Sequence, residues 1–339
     1  MSSSTSDQVA GVDLADEGLR DALVSGLQQV EELLHREVQS EFRFLTETSL
    51  HLVDAGGKRF RPLFTLLAAQ FGLAKGTGRV EDVVRAAAVV ELIHLATLYH
   101  DDVMDEATMR RGAVSANARW DNTVAILTGD FLFAHASRLV ADLGPDAVRI
   151  IARTFAKLVT GQMRETLGPG EGADPVAHYL AVVAEKTGSL IATAGRYGAM
   201  FSGAPQQQVD ALRRFGKAIG TAFQISDDII DIASPSDESG KIPGTDLREG
   251  VRTLPMLYAL AEPGPDVNRL SELLAGPLTD DALVSEALTL LRGSPGLDRA
   301  RQTLRSYTDA ARAELVVLPA CPARDALSSV TDYLQSRTG

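Results

Sequence analysis

The sequence predicts an all-α fold, and three observations predict it. Helical spacings of three and four run through Val84, Ala87, Ala88, Glu91, Leu92 and Leu95, and again through Phe155, Leu158, Val159 and Met163. Few stretches alternate apolar and polar residues as a half-buried strand does. Breakers fall between the periodic runs: Gly56-Gly57, Gly76-Thr77-Gly78, Gly144-Pro145, Gly168-Pro169-Gly170, Gly203-Ala204-Pro205, 240–244, Pro263-Gly264-Pro265 and Gly293-Ser294-Pro295. They divide the chain into about ten helices of ordinary length.

With 339 residues, 45% of them hydrophobic, the chain can bury a sizeable core. No composition shift marks a linker, so 17–339 reads as a single domain. The Ser/Asp-rich segment 1–16 reads as a disordered N-terminal tail. It has neither the basic n-region nor the apolar h-region of a secretory signal. No uninterrupted apolar run approaches the roughly 20 residues of a membrane span. A cytoplasmic protein is expected. The net charge of −12 argues against a nucleic-acid partner, which calls for a basic face. The one cysteine, Cys321, excludes an internal disulfide and a cysteine-built metal site.

Two Asp-Asp-x-x-Asp triplets stand out: Asp101, Asp102 and Asp105, then Asp227, Asp228 and Asp231. Positions i and i+4 share a helix face, so Asp101 and Asp105 can hold one cation between them, and Asp227 and Asp231 repeat the geometry. Asp102 and Asp228 lie about 100° around, where they orient ligands or waters. Each triplet ends an apolar stretch, 93–99 and 222–226. Burying three acids there without compensation is costly. All-oxygen ligands without His or Cys suit Mg²⁺, completed by waters and substrate phosphates.

Basic residues complete the picture. Gly56-Gly57-Lys58-Arg59-Phe60-Arg61-Pro62 sets cations in a segment whose glycines allow close approach of an anion. Arg110 and Arg111 follow the first triplet and point in different directions. His94 lies two turns before Asp101, on its face. Lys186-Thr187-Gly188-Ser189 joins a cation, hydroxyls and a glycine, Gln224 is three before Asp227, and Lys241 sits in a Gly/Pro-rich loop. Acids that bind metal beside cations that bind phosphate describe a diphosphate site, and two separate cation groups suggest two diphosphates.

The run from Glu91 to Gly112 resembles the first aspartate-rich region of the trans-isoprenyl (polyprenyl) diphosphate synthases. The segments 56–62, 186–189 and 223–231 resemble that family's other motifs, in order, so that the likeness covers nearly the whole chain. It implies an isoprenoid-synthase-type bundle of mostly antiparallel helices around a deep central cavity, and a homodimer. It implies Mg²⁺, two or three ions bound with the substrate diphosphate, on Asp101, Asp105 and Asp227. All six aspartates, with Lys186, Thr187 and Gln224, form the implied catalytic set. Lys58, Arg61, His94 and Arg111 would bind isopentenyl diphosphate; Arg110, Lys186 and Lys241 would bind the allylic diphosphate. Two lysines common among relatives are absent, with Thr245 and Val251 in their places; Arg252 stands beside the second.

The implied reaction is head-to-tail condensation of isopentenyl diphosphate onto an allylic diphosphate. Ala96 and Thr97, about one turn before Asp101, are the chain-length positions. Both are small, which resembles enzymes making C30 or longer products, with transient membrane contact for release of a long product. Shorter-chain geranylgeranyl or farnesyl synthesis is the alternative. A class I terpene cyclase and a regulatory synthase subunit rank lower. A cyclase lacks the Gly-Gly-Lys-Arg segment and His94, and a subunit carries degenerate Asp motifs.

Overall fold

The computed structural model describes residues 8, 9, 12–73, 76, 78–234, 243–261, 264 and 266–338. Among them the chain is helical apart from two short antiparallel ribbons, β1 (Gln8–Val9) with β2 (Val12–Asp13) and β3 (Met109–Arg110) with β4 (Ala113–Val114). The helices are α1 (Glu17–Glu37), α2 (Arg43–Asp54), α3 (Phe60–Leu73), α4 (Val80–Met104), α5 (Ala116–Arg119), α6 (Asn122–Asp142), α7 (Pro145–Leu167) and α8 (Pro175–Val183). After a π-helical turn at Ala184–Gly188 come α9 (Ser189–Phe201), α10 (Gln206–Ala233), α11 (Thr245–Glu249), α12 (Leu254–Ala261), α13 (Val267–Leu273), α14 (Asp281–Gly293), α15 (Pro295–Glu314) and α16 (Pro322–Ser336). Among the described residues the expected ten become sixteen, in part because helices as short as α5, α11 and α13 are too brief to show a 3.6-residue period.

Part of the expected tail is ordered. Residues 1–7, 10 and 11 lie outside the described residues, but Val12 and Leu14 are buried and Asp16 caps α1 by accepting the Leu19 N–H at 2.7 Å. The apolar residues there, not visible against the Ser/Asp composition, fix the segment.

By compactness the chain divides into two units. The first comprises Met1–Ala156, Leu190–Gly216 and Glu314–Ser329. Its centre is α4, buried almost all round from Val83 to Ala96 and packed on α1, α3 and most extensively α6. A helix apolar on every side is a core helix. The Tyr99 hydroxyl donates to Thr48 O (2.5 Å) and accepts from Leu52 N (3.2 Å), which ties α4 to α2 just before Asp101. Both α4 and α6 are long and apolar enough, by length and composition, to cross a membrane, although neither is an uninterrupted apolar run, Glu91 interrupting one and Asp130 the other. In α4 72% of that window is buried, as in a core helix; in α6 only 39% is.

The second unit comprises Lys157–Ser189, Lys217–Ala313 and Val330–Gly339. Its core gathers Ile232, Leu247, Met256, Leu270, Leu273, Val284 and Leu291 from α10 to α14. The N-terminus of α8 is capped by Asp174, which accepts the Val176 N–H at 2.9 Å. This unit holds a cavity of about 840 Å³ lined by Tyr179, Lys186, Thr187, Gln224, Asp228 and Arg252 among others.

Candidate active site

In the first unit, the segment between α2 and α3 and the turn after α4 converge on one buried acid. Arg59 and Arg111 both adopt left-handed backbone, with φ of 47° and 52°. Such conformations persist only where side-chain contacts hold them. Arg59 Nη1 meets Glu91 Oε1 at 2.8 Å and Arg111 Nη2 meets it at 3.6 Å, while Glu91 itself is 1% exposed. Arg59 also pairs with Glu31 and donates to Val53 O. Arg111 Nη1 donates to Leu52 O at 3.1 Å and to Gly56 O. Gly57 has φ 125°, and a Cβ there would lie 3.0 Å from Arg111 Cζ, so glycine is required for this close approach.

These contacts concentrate positive charge. Burial and the neighbouring Arg111 push the Arg61 guanidinium down to about 10 despite Glu91. Its Nε is buried without a hydrogen-bond partner among the described residues. Burial first, then Arg61, Arg111, Arg59 and Arg110, hold His94 well below its ordinary 6.5, so the imidazole is neutral. Lys58 is exposed beside them. The arrangement leaves a cationic surplus that an anion would balance.

The first triplet closes α4. Asp105 is its C-cap, with its N–H on Asp101 O at 2.8 Å, so the two lie one turn apart. Asp105 is exposed and Asp101 half-buried. Asp102 differs from the edge position expected of it. Its side chain is fully buried and accepts from Arg110 Nε, and burial raises its carboxyl although Arg110 opposes the shift. Its Oδ2 has no hydrogen-bond partner among the described residues. Arg110 and Arg111 do point apart, one to Asp102 and the other to Glu91.

Ala96 is 1% exposed, closed in by α6: a Cβ on Gly129 would stand 3.1 Å from Ala96 O. Thr97 is half-buried, its hydroxyl donating to His94 O at 2.8 Å. The two expected chain-length positions therefore have different surroundings.

In the second unit, α10 presents the other triplet. Asp227 Oδ1 accepts from Arg337 Nη2 at 2.9 Å. Asp228 is 4% exposed; Oδ2 accepts from the Tyr179 hydroxyl and Oδ1 from Gln224 Nε2 at 3.0 Å. Burial pushes its carboxyl up to about 7 against those two hydrogen bonds. Asp231 caps α11, accepting the Thr245 N–H at 3.1 Å and the Asp246 N–H at 3.2 Å. Lys186 and Thr187 ride the π-helical turn, a feature that recurs at functional sites. Gly161 admits that turn, for a Cβ there would lie 2.8 Å from Lys186 N. The Lys186 ammonium pairs with Glu165. Arg252 lines the cavity and donates to Leu274 O at 2.9 and 3.1 Å. Val251 lines the same wall and Lys241 lies outside the described residues.

Among the described residues no three Asp, Glu, His or Cys side chains converge into a ready metal cage. The donor chemistry still fits a hard divalent cation: carboxylate oxygens in one-turn pairs, the buried Asp102 Oδ2 without a hydrogen-bond partner among the described residues, and coordination left for phosphate oxygens and water. Sequence reasoning missed Glu91, Tyr179 and Arg337. The first sat inside the quoted periodic run, and the others carry no local signal.

A model of the polyprenyl synthetase family matches residues 42–291. A nonaprenyl diphosphate synthase of Mycobacterium tuberculosis is 61% identical over 331 residues, 98% of each chain. A geranylgeranyl pyrophosphate synthase from Corynebacterium glutamicum, crystallised with calcium and isoprenyl diphosphate, superposes with a TM-score of 0.87 at 51% identity, over 97% of this chain and 100% of that one. A decaprenyl diphosphate synthase from Rhodobacter capsulatus gives 0.85 at 36%, over 95% and 99%. The chain belongs to the polyprenyl synthetase family, the trans-isoprenyl diphosphate synthases, with their all-α fold. It is a prenyl-transferring enzyme.

Proposed function

We propose that the chain is a long-chain trans-polyprenyl diphosphate synthase, adding isopentenyl diphosphate to an allylic diphosphate to give a product of C30 or longer. The observation that carries the reading is the cationic cluster of the first unit, where Arg59 and Arg111 share the buried Glu91 and Arg61 keeps a buried Nε without a hydrogen-bond partner among the described residues. Lys58, Arg61, His94 and Arg111 hold the diphosphate of isopentenyl diphosphate. Arg110 and Lys186, with Lys241, hold the allylic diphosphate.

Asp101, Asp105 and Asp227 would hold Mg²⁺, which supplies electrophilic charge at the diphosphate oxygens. Arg110 and Lys186 take up charge on the leaving diphosphate as the allylic C–O bond breaks. Lys58, Arg61 and Arg111 keep isopentenyl diphosphate oriented while its double bond forms the new C–C bond. A proton is then lost, and the released diphosphate is its acceptor. Thr187 and Gln224 line the cavity where the allylic carbon carries positive charge.

The 61% identity to a nonaprenyl diphosphate synthase and the small residues at 96 and 97 support the long product. The shorter-chain reading is favoured by one observation, the 51% identity to a geranylgeranyl pyrophosphate synthase. The enzyme acts in the cytoplasm as a homodimer, with the open apolar face of α6 as the interface. Incubation with Mg²⁺, isopentenyl diphosphate and farnesyl diphosphate, followed by product mass, tests the reading. A C20 ceiling selects the shorter-chain alternative. No product with any allylic primer overturns the assignment in favour of a regulatory subunit.

A further inference from the structure

Tyr179, on α8, belongs to none of the motifs, yet it lines the cavity of the second unit with Lys186, Thr187, Gln224 and Asp228. Its hydroxyl donates to Asp228 Oδ2, and Gln224 Nε2 donates to Asp228 Oδ1 at 3.0 Å. Both oxygens of a carboxylate that is 4% exposed are thus taken by neutral donors of the protein. We propose that Tyr179 is a positioning residue for prenyl transfer, fixing the Gln224 amide through Asp228. The inference rests on the reading of this cavity as the allylic site.

In its ionised form Asp228 accepts and does not donate, and so selects the amino end of the Gln224 amide, whose Nε2 donates to Oδ1. The carbonyl Oε1 is then the end turned away from Asp228. An amide oxygen held in place is the negative end of a dipole, suited to an allylic carbon that becomes positive as the C–O bond breaks. The advantage lies in its being fixed beforehand. Without the Tyr179 hydroxyl the buried carboxylate keeps only Gln224 and the Leu254 backbone as partners; losing a buried donor is costly, so Asp228 turns and the amide loses its anchor. The isopentenyl diphosphate residues Lys58, Arg61 and His94 belong to the other unit.

The test is a double-mutant cycle of Tyr179→Phe and Gln224→Ala, with kcat, both KM values and Tm measured for each. Tyr179→Phe preserves the ring, so the fold survives, and Tm reports whether it does. Tyr179→Phe is expected to lower kcat about ten- to a hundredfold, as for a misplaced reacting group. KM for isopentenyl diphosphate is expected to stay within about twofold, and the double variant to match Gln224→Ala alone, because residues acting as one unit are non-additive. Multiplying effects, or a parallel rise in KM for isopentenyl diphosphate, would overturn the proposal. If Gln224→Ala slows turnover and Tyr179→Phe does not, the positioning role fails and the site reading stands. If Gln224→Ala leaves turnover intact, the allylic-site reading of this cavity fails and takes the proposal with it.

Discussion

Arg337 clamps Asp227, the first acid of the second triplet. Its Nη2 donates to Asp227 Oδ1 at 2.9 Å, its Nε donates to Ser226 Oγ at 2.6 Å, and its guanidinium lies 4.6 Å over the Phe223 ring. Two effects compete when it is removed. The acid loses a neighbouring positive charge, which favours a cation; it also loses the contact that sets its rotamer. Asp227 is 43% exposed, so the charge effect is screened to about 0–1 kcal/mol. Loss of a partner that orients a ligating group costs about 10- to 100-fold in metal affinity. Orientation wins. Arg337→Met is expected to raise the half-saturating Mg²⁺ about tenfold, and Arg337→Lys to fall between. Mn²⁺ binding in the presence of inorganic diphosphate checks this without turnover, and tighter binding in Arg337→Met would reverse the reading.

The first triplet separates by burial. Asp101→Asn and Asp105→Asn are expected to lower turnover at least about a hundredfold, the scale of losing one charge-stabilising group. Isopentenyl diphosphate binding, read by calorimetry, should change little in either. Asp102 behaves differently, because its side chain is fully buried against Arg110. Asp102→Ala strands that guanidinium and should also destabilise the fold by about 3 kcal/mol, visible as a lower Tm. Equal Tm for all three variants would show that the buried pair has no structural role.

His94 gives stability a pH dependence with a defined sign. Burial and four arginines hold its folded-state pKa well below 6.5. Below about pH 6.5 the unfolded chain takes up a proton that the folded chain refuses, so stability rises with pH in this window. The contribution is complete above the unfolded pKa and is lost as pH falls towards the folded one. Tm is expected to drop from about pH 6.5 to 5, and His94→Gln to flatten that slope. A slope unchanged in His94→Gln would assign the effect to other groups.

The local part of the site was legible because its signals are local. Asp101 and Asp105 are one turn apart in sequence and in space, and Gly57 marks the close approach that Arg111 uses. What remained hidden depends on distant segments. Tyr179 reaches Asp228 across 49 residues and Arg337 reaches Asp227 across 110. Asp231 shares the helix face of Asp227, as its spacing says. Spacing says nothing of the chain that returns at Thr245, and there Asp231 is a helix cap. Glu91 looked like one more member of a periodic run because its partners sit at 59 and 111. The all-α class was plain from periodicity, while the short helices and the π-helical turn at Lys186 were below its resolution.

The exposed side of α6 makes the assembly testable. Ile126 and Leu127 are 44% and 58% exposed on a helix whose apolar window is mostly unburied. Contiguous exposed apolar surface of this kind marks an interface. The protein is expected to run as a dimer in light scattering coupled to size exclusion, and Leu127→Glu to shift it towards monomer, since a charge there pays desolvation without a partner. A wild-type monomer would remove α6 as a subunit interface.

Positions 96 and 97 were equivalent in the sequence and are not equivalent in the fold. Ala96 is packed against α6, where a Gly129 Cβ would already stand 2.4 Å from His100 Nε2 and 3.1 Å from Ala96 O. A phenylalanine at 96 has no room, and overpacking of this kind costs about 1–3 kcal/mol. Ala96→Phe is therefore expected to lower Tm, and any change in product then mixes tunnel blockage with a displaced α6. Thr97 keeps part of its surface open and ends in a local bond to His94 O that Phe can forgo cheaply. Thr97→Phe is expected to shorten the product by at least one five-carbon unit with Tm nearly unchanged. Thr97→Ala should leave the length as it is. Product mass from farnesyl diphosphate and isopentenyl diphosphate decides the matter: an unchanged distribution in Thr97→Phe means that the growing chain does not pass this position, and the length limit must then be set deeper in the fold.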